Sequence, residues 1–106
     1  MTDLKLYQEF VNAVTSSESK HNYAFIDRFE ELSQYQEDKT KINAALLLTA
    51  GMGLSAESGE FNEIIKKMFF QGKPLNDENV FHMKRELGDI IWYWINACRA
   101  LDLDPN

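Results

Sequence analysis

A chain of 106 residues with a net charge of −6 is one domain, long enough for a real core and short enough to gain from oligomerisation. No basic stripe is present to neutralise phosphates, which argues against a nucleic-acid backbone as the partner. The single cysteine, Cys98, cannot close an internal disulfide and fits a reducing, cytoplasmic setting.

The N-terminus, Met1 to Lys5, lacks a basic region followed by an apolar run, so no signal peptide is read. Thr2 or Asp3 is placed to cap a first helix running to about Val14, with Leu4, Tyr7, Phe10, Val11 and Val14 on one side. Thr15–His21 is polar and reads as a loop. Tyr23–Tyr35 carries Phe25, Ile26, Phe29 and Leu32 at helical spacing, as a short helix or an ordered loop. From Asp38 or Thr40 a long helix is predicted through Ala44–Leu54 and Lys67, stopping near Gly72. Its apolar stretch is interrupted by Thr49, Gly51 and Gly53 and is too short to span a bilayer, so no membrane partner is expected. Gly72-Lys73-Pro74 is a firm break. Asn76 or Asp77 then caps a last helix bearing Val80, Leu87, Ile90, Ile91, Trp94, Cys98 and Leu101. Nothing reads as strand. The fold class expected is all-α, a bundle of about four helices.

Within this pattern E-S-G-E at Glu57–Glu60 returns as E-L-G-D at Glu86–Asp89. Acids at i and i+3 share one helical face. Two such pairs on facing helices would gather four negative charges, which is costly unless a hard divalent cation sits among them. Ile64 and Lys67 fall on the face of the first pair, with Glu63 continuing the acidic stripe. Tyr93 and Asn96 fall on the face of the second, with His82 close by. The opposite face of the last helix, with Ile90, Trp94 and Leu101, is the apolar one expected to pack. Gly59 and Gly88 each cost a helix roughly 1 kcal/mol against alanine. Their equivalent placement points to a close backbone approach.

Each feature also has a plainer reading. An isolated E-x-x-E is more often a solvated helix face, and Lys66 and Lys67 alone are more often surface lysines. Trp92, Tyr93 and Trp94 are individually more often core or interface than ligand platform. They cannot all face one way, however, which leaves one for a pocket or another subunit. His21 and His82 form no Glu-x-x-His pair of the di-iron kind, and Cys98 is expected inside. What raises metal binding above these readings is the repetition of both the acids and the glycine.

The run Gly53-Leu54-Ser55-Ala56-Glu57-Ser58-Gly59-Glu60-Phe61, then Ile64-Ile65-Lys66-Lys67, then Glu86-Leu87-Gly88-Asp89-Ile90-Ile91-Trp92-Tyr93 resembles MazG-like nucleotide pyrophosphohydrolases of the all-α NTP pyrophosphatase superfamily. Their signature is E-x-x-E, a variable spacer, then E-x-x-D, and all four positions match. Asn96 also matches a position where such proteins often carry asparagine. The similarity covers roughly Ala44–Leu101 well and the N-terminal third loosely. It implies a helical bundle completed by dimerisation, as a homodimer or a dimer of dimers. It further implies hydrolysis of a nucleoside triphosphate between the α and β phosphates. Glu57, Glu60, Glu86 and Asp89 would be the catalytic, metal-holding acids, with Mg²⁺ as cofactor and Mn²⁺ as a substitute. Lys67, with Lys66 or Arg85, becomes a candidate phosphate contact. Tyr93 and Asn96 become candidates for orienting sugar or phosphate, and Trp92, Phe10 and Phe61 candidates for stacking on the base. The chain departs from the pattern in stopping at Asp104-Pro105-Asn106, where many relatives continue into a further helix with a basic stretch. Two other classes stay open: a helical dimer that binds nucleotide or metal without turnover, and a structural bundle whose acids are solvated.

Overall fold

A computed structural model describes residues 3–37 and 40–106. Among them lie five helices and one two-residue β ladder, so the chain is all-α. No described helix is long and apolar enough to cross a membrane. The chain divides into two compact units, Met1–Tyr35 and Gln36–Asn106.

In the first unit, helix α1 spans Leu4–Val14, capped by the Asp3 carboxylate, which accepts from the backbone N–H groups of Lys5 and Leu6. Thr2, the other candidate cap, lies outside the described residues. The segment expected as a loop contains a single helical turn, α2, at Ser17–Lys20. Lys20 donates to the Asn12 carbonyl at 3.2 Å, which also accepts from the Thr15 N–H in the last turn of α1. Helix α3 then covers Asn22–Ser33, resolving the second apolar stretch as helix.

The second unit opens with the antiparallel ladder of β1 (Gln36–Glu37) on β2 (Thr40–Lys41). This ladder takes the place of the early helical start expected at Thr40; Asp38 lies outside the described residues. The long helix α4 instead runs Ala44–Phe70, and its cap is Asn43, whose side-chain oxygen accepts from Leu46 N–H at 3.0 Å. It ends where Gly72 adopts a φ of +71°, the left-handed conformation that glycine accepts without strain. Helix α5 runs Asp77–Ala100 behind its Asn76 cap, with Asp77 and Glu78 favourably placed in the first turn. At its far end Asp102 turns left-handed. The N–H groups of Leu103 and Asp102 return to the carbonyls of Cys98 and Arg99, closing a Schellman motif.

Helices α4 and α5 form an antiparallel hairpin whose register is set by two contacts. At the open end, Asn43 N–H donates to the Ala100 carbonyl at 2.9 Å. Further along, the Tyr93 ring lies directly on the Gly53 backbone, where a Cβ would overlap it. The buried residues, Ala44, Ala50 and Gly53 on α4 with Asn96, Cys98 and Ala100 on α5, are all small or medium-sized, which lets the helices approach closely there. Cys98 is inside, as expected from its place in the pattern. The face of α5 turned to α4 is therefore the one carrying Tyr93 and Asn96. Of the apolar face expected to pack, Ile90 and Leu101 are half-buried and Trp94 is exposed, because a two-helix hairpin has only one inner seam.

The close approach expected at Gly59 and Gly88 is not there: a Cβ on either would meet nothing within 4 Å. Gly53 makes that approach instead. Gly88→Ala is accordingly expected to raise stability by about 1 kcal/mol, measured by denaturant unfolding. A loss of stability would mean that this face is covered by something outside the described unit.

Candidate metal centre

One turn beyond Gly53 on α4 stands Glu57, then Glu60. The antiparallel register brings Glu86 of α5 opposite them. Each of the three offers a carboxylate oxygen, and these oxygens lie within 4.8 Å of one another. Glu57 and Glu86 are half-buried, and Glu60 is exposed. Asp89, the fourth acid of the repeat, is half-buried one turn further along α5 and is not part of this group.

The seam position has an electrostatic cost. Among the described residues no other group donates to the buried Oε2 atoms of Glu57 and Glu86, although such atoms are normally satisfied, which leaves them a proton shared between the two carboxyls or a cation. The Glu57 carboxyl is pushed up from 4.5 to about 7, first by sharing a proton with Glu86, then by burial and by the charge and hydrogen bonding of Glu60. Carboxylates crowded in this way are suited to a hard, oxygen-seeking cation such as Mg²⁺ or Mn²⁺. The two orphaned oxygens supply the lone pairs such an ion takes.

This arrangement gives the metal-free protein a defined pH dependence. A carboxyl raised in the folded state contributes stability that is complete below 4.5 and lost as the pH rises through about 7. The thermal midpoint in chelator should fall across that window, and a divalent cation added above it should restore the midpoint by mass action. Glu57→Gln should flatten the fall and weaken the rescue. A midpoint indifferent to both pH and cation would mean three independently solvated acids.

A cleft of about 590 Å³ opens from this cluster toward the closed end of the hairpin, lined by Glu60, Ile64 and Lys67 from α4 and by His82 and Glu86 from α5, among others. Ile64 and Lys67 thus stand where the helical spacing puts them, beside the first acid pair. Glu63 also lines the cleft but is engaged by Lys66 at 3.1 Å and Lys67 at 3.9 Å. Lys66 and Arg85 are exposed and outside its lining. Asn96 is 4% exposed and accepts from Arg99 Nη1 at 2.8 Å. Trp92 is exposed and meets Tyr93 edge to face at 4.9 Å. Phe61 is half-buried on α4, and Phe10 belongs to the other unit. Lys73, Asn76 and Asn79 also line the cleft. In the sequence they read only as parts of the break and of a helix cap, and the fold is what places them beside the acids.

No family model, no curated protein and no solved structure matches the chain.

Proposed function

We propose that the chain is a Mg²⁺-dependent nucleoside triphosphate pyrophosphohydrolase, similar to the MazG-like enzymes, releasing a nucleoside monophosphate and pyrophosphate. The observation that carries this reading is the convergence of Glu57, Glu60 and Glu86 from two helices, with two buried, unpartnered oxygens, at the mouth of a cleft that also holds Lys67. Asp89, outside that group in the metal-free chain, would join it as the fourth acid from the next turn of α5 once an ion is bound. Bound Mg²⁺ would supply an acidified water and neutralise the triphosphate.

The chain's own groups then have separate tasks. The clustered glutamates would hold the ion, and one of them takes the proton of the attacking water. The water oxygen bonds to the α phosphorus. The bond from that phosphorus to the bridging oxygen breaks, and its electron pair leaves with pyrophosphate. Lys67 contacts phosphate, exposed Trp92 offers a stacking surface, and Tyr93 and Asn96, which lie outside the lining of the cleft, are the candidates for orienting sugar or phosphate. The open apolar groove of Leu87, Ile90, Ile91 and Trp94 on α5 is the face on which a second copy would dock to give the homodimer, or a homotetramer by further pairing. The buried thiol of Cys98 suits a cytoplasmic setting, with a role in pool control or removal of unwanted nucleotides.

The test is incubation with each common NTP and dNTP plus Mg²⁺, with products resolved by chromatography. Monophosphate and pyrophosphate, lost on chelation, are expected. Diphosphate and orthophosphate would refute the assigned cleavage position. Saturable Mn²⁺ binding without any product would leave a non-catalytic metal- or nucleotide-binding module.

A further inference from the structure

The α4–α5 connection is too well tied to be a mere linker. Gly72 turns the chain back so that Lys73 N–H donates to the Lys67 carbonyl at 3.1 Å, which also accepts from Gln71. On the other side Asn79 Nδ2 donates to the Pro74 carbonyl at 2.6 Å, while Asn79 N–H caps onto Asn76. The loop is thereby fastened to the end of one helix and the start of the next. This holds Lys73 beside Lys67 on the wall of the cleft that begins at Glu60 and Glu86.

The two lysines differ in how free they are. Lys67 lies 3.9 Å from Glu63, which has a closer partner in Lys66. His82 lies 3.9 Å from Glu78. Among the described residues no carboxylate pairs with Lys73. Glu60, Glu63, Glu78 and Glu86 nevertheless outnumber the cations of the cleft, so an anion cannot enter on the lysines' charge alone. It must arrive with, or after, a divalent ion at the acids. The volume of about 590 Å³ lies within the range of about 300–1,000 Å³ typical of small-molecule sites.

We propose that the closed end of the hairpin is the subsite for the two distal phosphates, with Lys73 as the contact that holds pyrophosphate beside Lys67 and the metal-holding acids. This rests on the nucleotide reading above and adds to it a residue, a direction and an order of binding. The triphosphate lies along the cleft with its α phosphorus at the acid cluster and its leaving end toward the loop. The nucleoside is directed away from the loop, along the hairpin.

The probe is inorganic pyrophosphate, titrated calorimetrically into the full chain with Mg²⁺ and again in chelator. Binding is expected only with Mg²⁺. Lys73→Ala is expected to weaken it about 10-fold or more, the size of a charge-assisted hydrogen bond, while nucleoside monophosphate binding stays unchanged. Alanine keeps the N–H that bonds Lys67, so the loop is preserved. Lys84→Ala, an exposed α5 lysine outside the cleft lining, is the control and should bind as the unaltered protein does. Equal pyrophosphate affinity with and without the Lys73 side chain, in a protein that still converts NTP to monophosphate, overturns the subsite alone. Mn²⁺ binding with neither pyrophosphate binding nor turnover overturns the nucleotide reading and the subsite with it.

Discussion

Glu60→Gln is expected to lower turnover by at least about 100-fold, within the range attributed to a positioned acid or base, while helicity by circular dichroism stays unchanged. Glu60 is the exposed member of the three-carboxylate group and the one whose charge adds to the burden on Glu57. Removing that charge relieves repulsion across the seam, so the fold loses nothing and the metal-free protein gains stability near neutral pH. Mn²⁺ affinity, read by calorimetry, should fall along with turnover, because one of the converging oxygens is exchanged for a weaker, neutral ligand. Asp89→Asn is expected to show the same loss if the ion draws on all four acids of the repeat. Full activity in Glu60→Gln would return the acids to a solvated helix face.

The acids were legible because helical spacing is a local property. Residues three apart share a face whatever the helix packs against, and the break at Gly72–Pro74 with the cap at Asn76 announces the hairpin that sets two such faces opposite each other. Distant partners were not legible in that way. Gly53 looks like one of several helix-weakening glycines, and its need appears only when Tyr93, on another helix, is laid over it. Gly59 and Gly88 stand out in the repeat yet meet open space. The inner face of α5 is only partly legible for a related reason: of Ile90, Trp94 and Leu101, Trp94 stays exposed. Apolar residues mark what prefers to be covered, but one helix hairpin covers only one seam, and here that seam holds Tyr93, Asn96 and the acids. Lys73 read as punctuation between a glycine and a proline, and its place in the cleft depends on backbone bonds to Lys67 and from Asn79 to Pro74. The turn at Ser17–Lys20 and the ladder at 36–41 are too short for periodicity to reveal.

Gly53→Ala is expected to cost about 1–3 kcal/mol through overpacking, lowering the thermal midpoint by about 4–8 °C for each kcal/mol in a domain of this size. The added methyl would fall within the Tyr93 ring. The helices cannot slide to relieve it, because Asn43 is bonded to Ala100 at the open end, so the ring must swing aside or the seam must widen. Either response reaches the metal centre. Glu57 is one turn from Gly53 on α4 and Glu86 two turns from Tyr93 on α5, so a wider seam separates the carboxylates and weakens Mn²⁺ binding. Combining Gly53→Ala with Tyr93→Leu should recover part of the loss, a coupling that double-mutant analysis measures directly. Strict additivity would show that the two residues do not share a contact. Tyr93→Phe isolates the other role proposed for this side chain. It keeps the ring on the glycine and removes only the hydroxyl, so an unchanged midpoint with a raised KM would separate positioning of the nucleotide from packing of the hairpin.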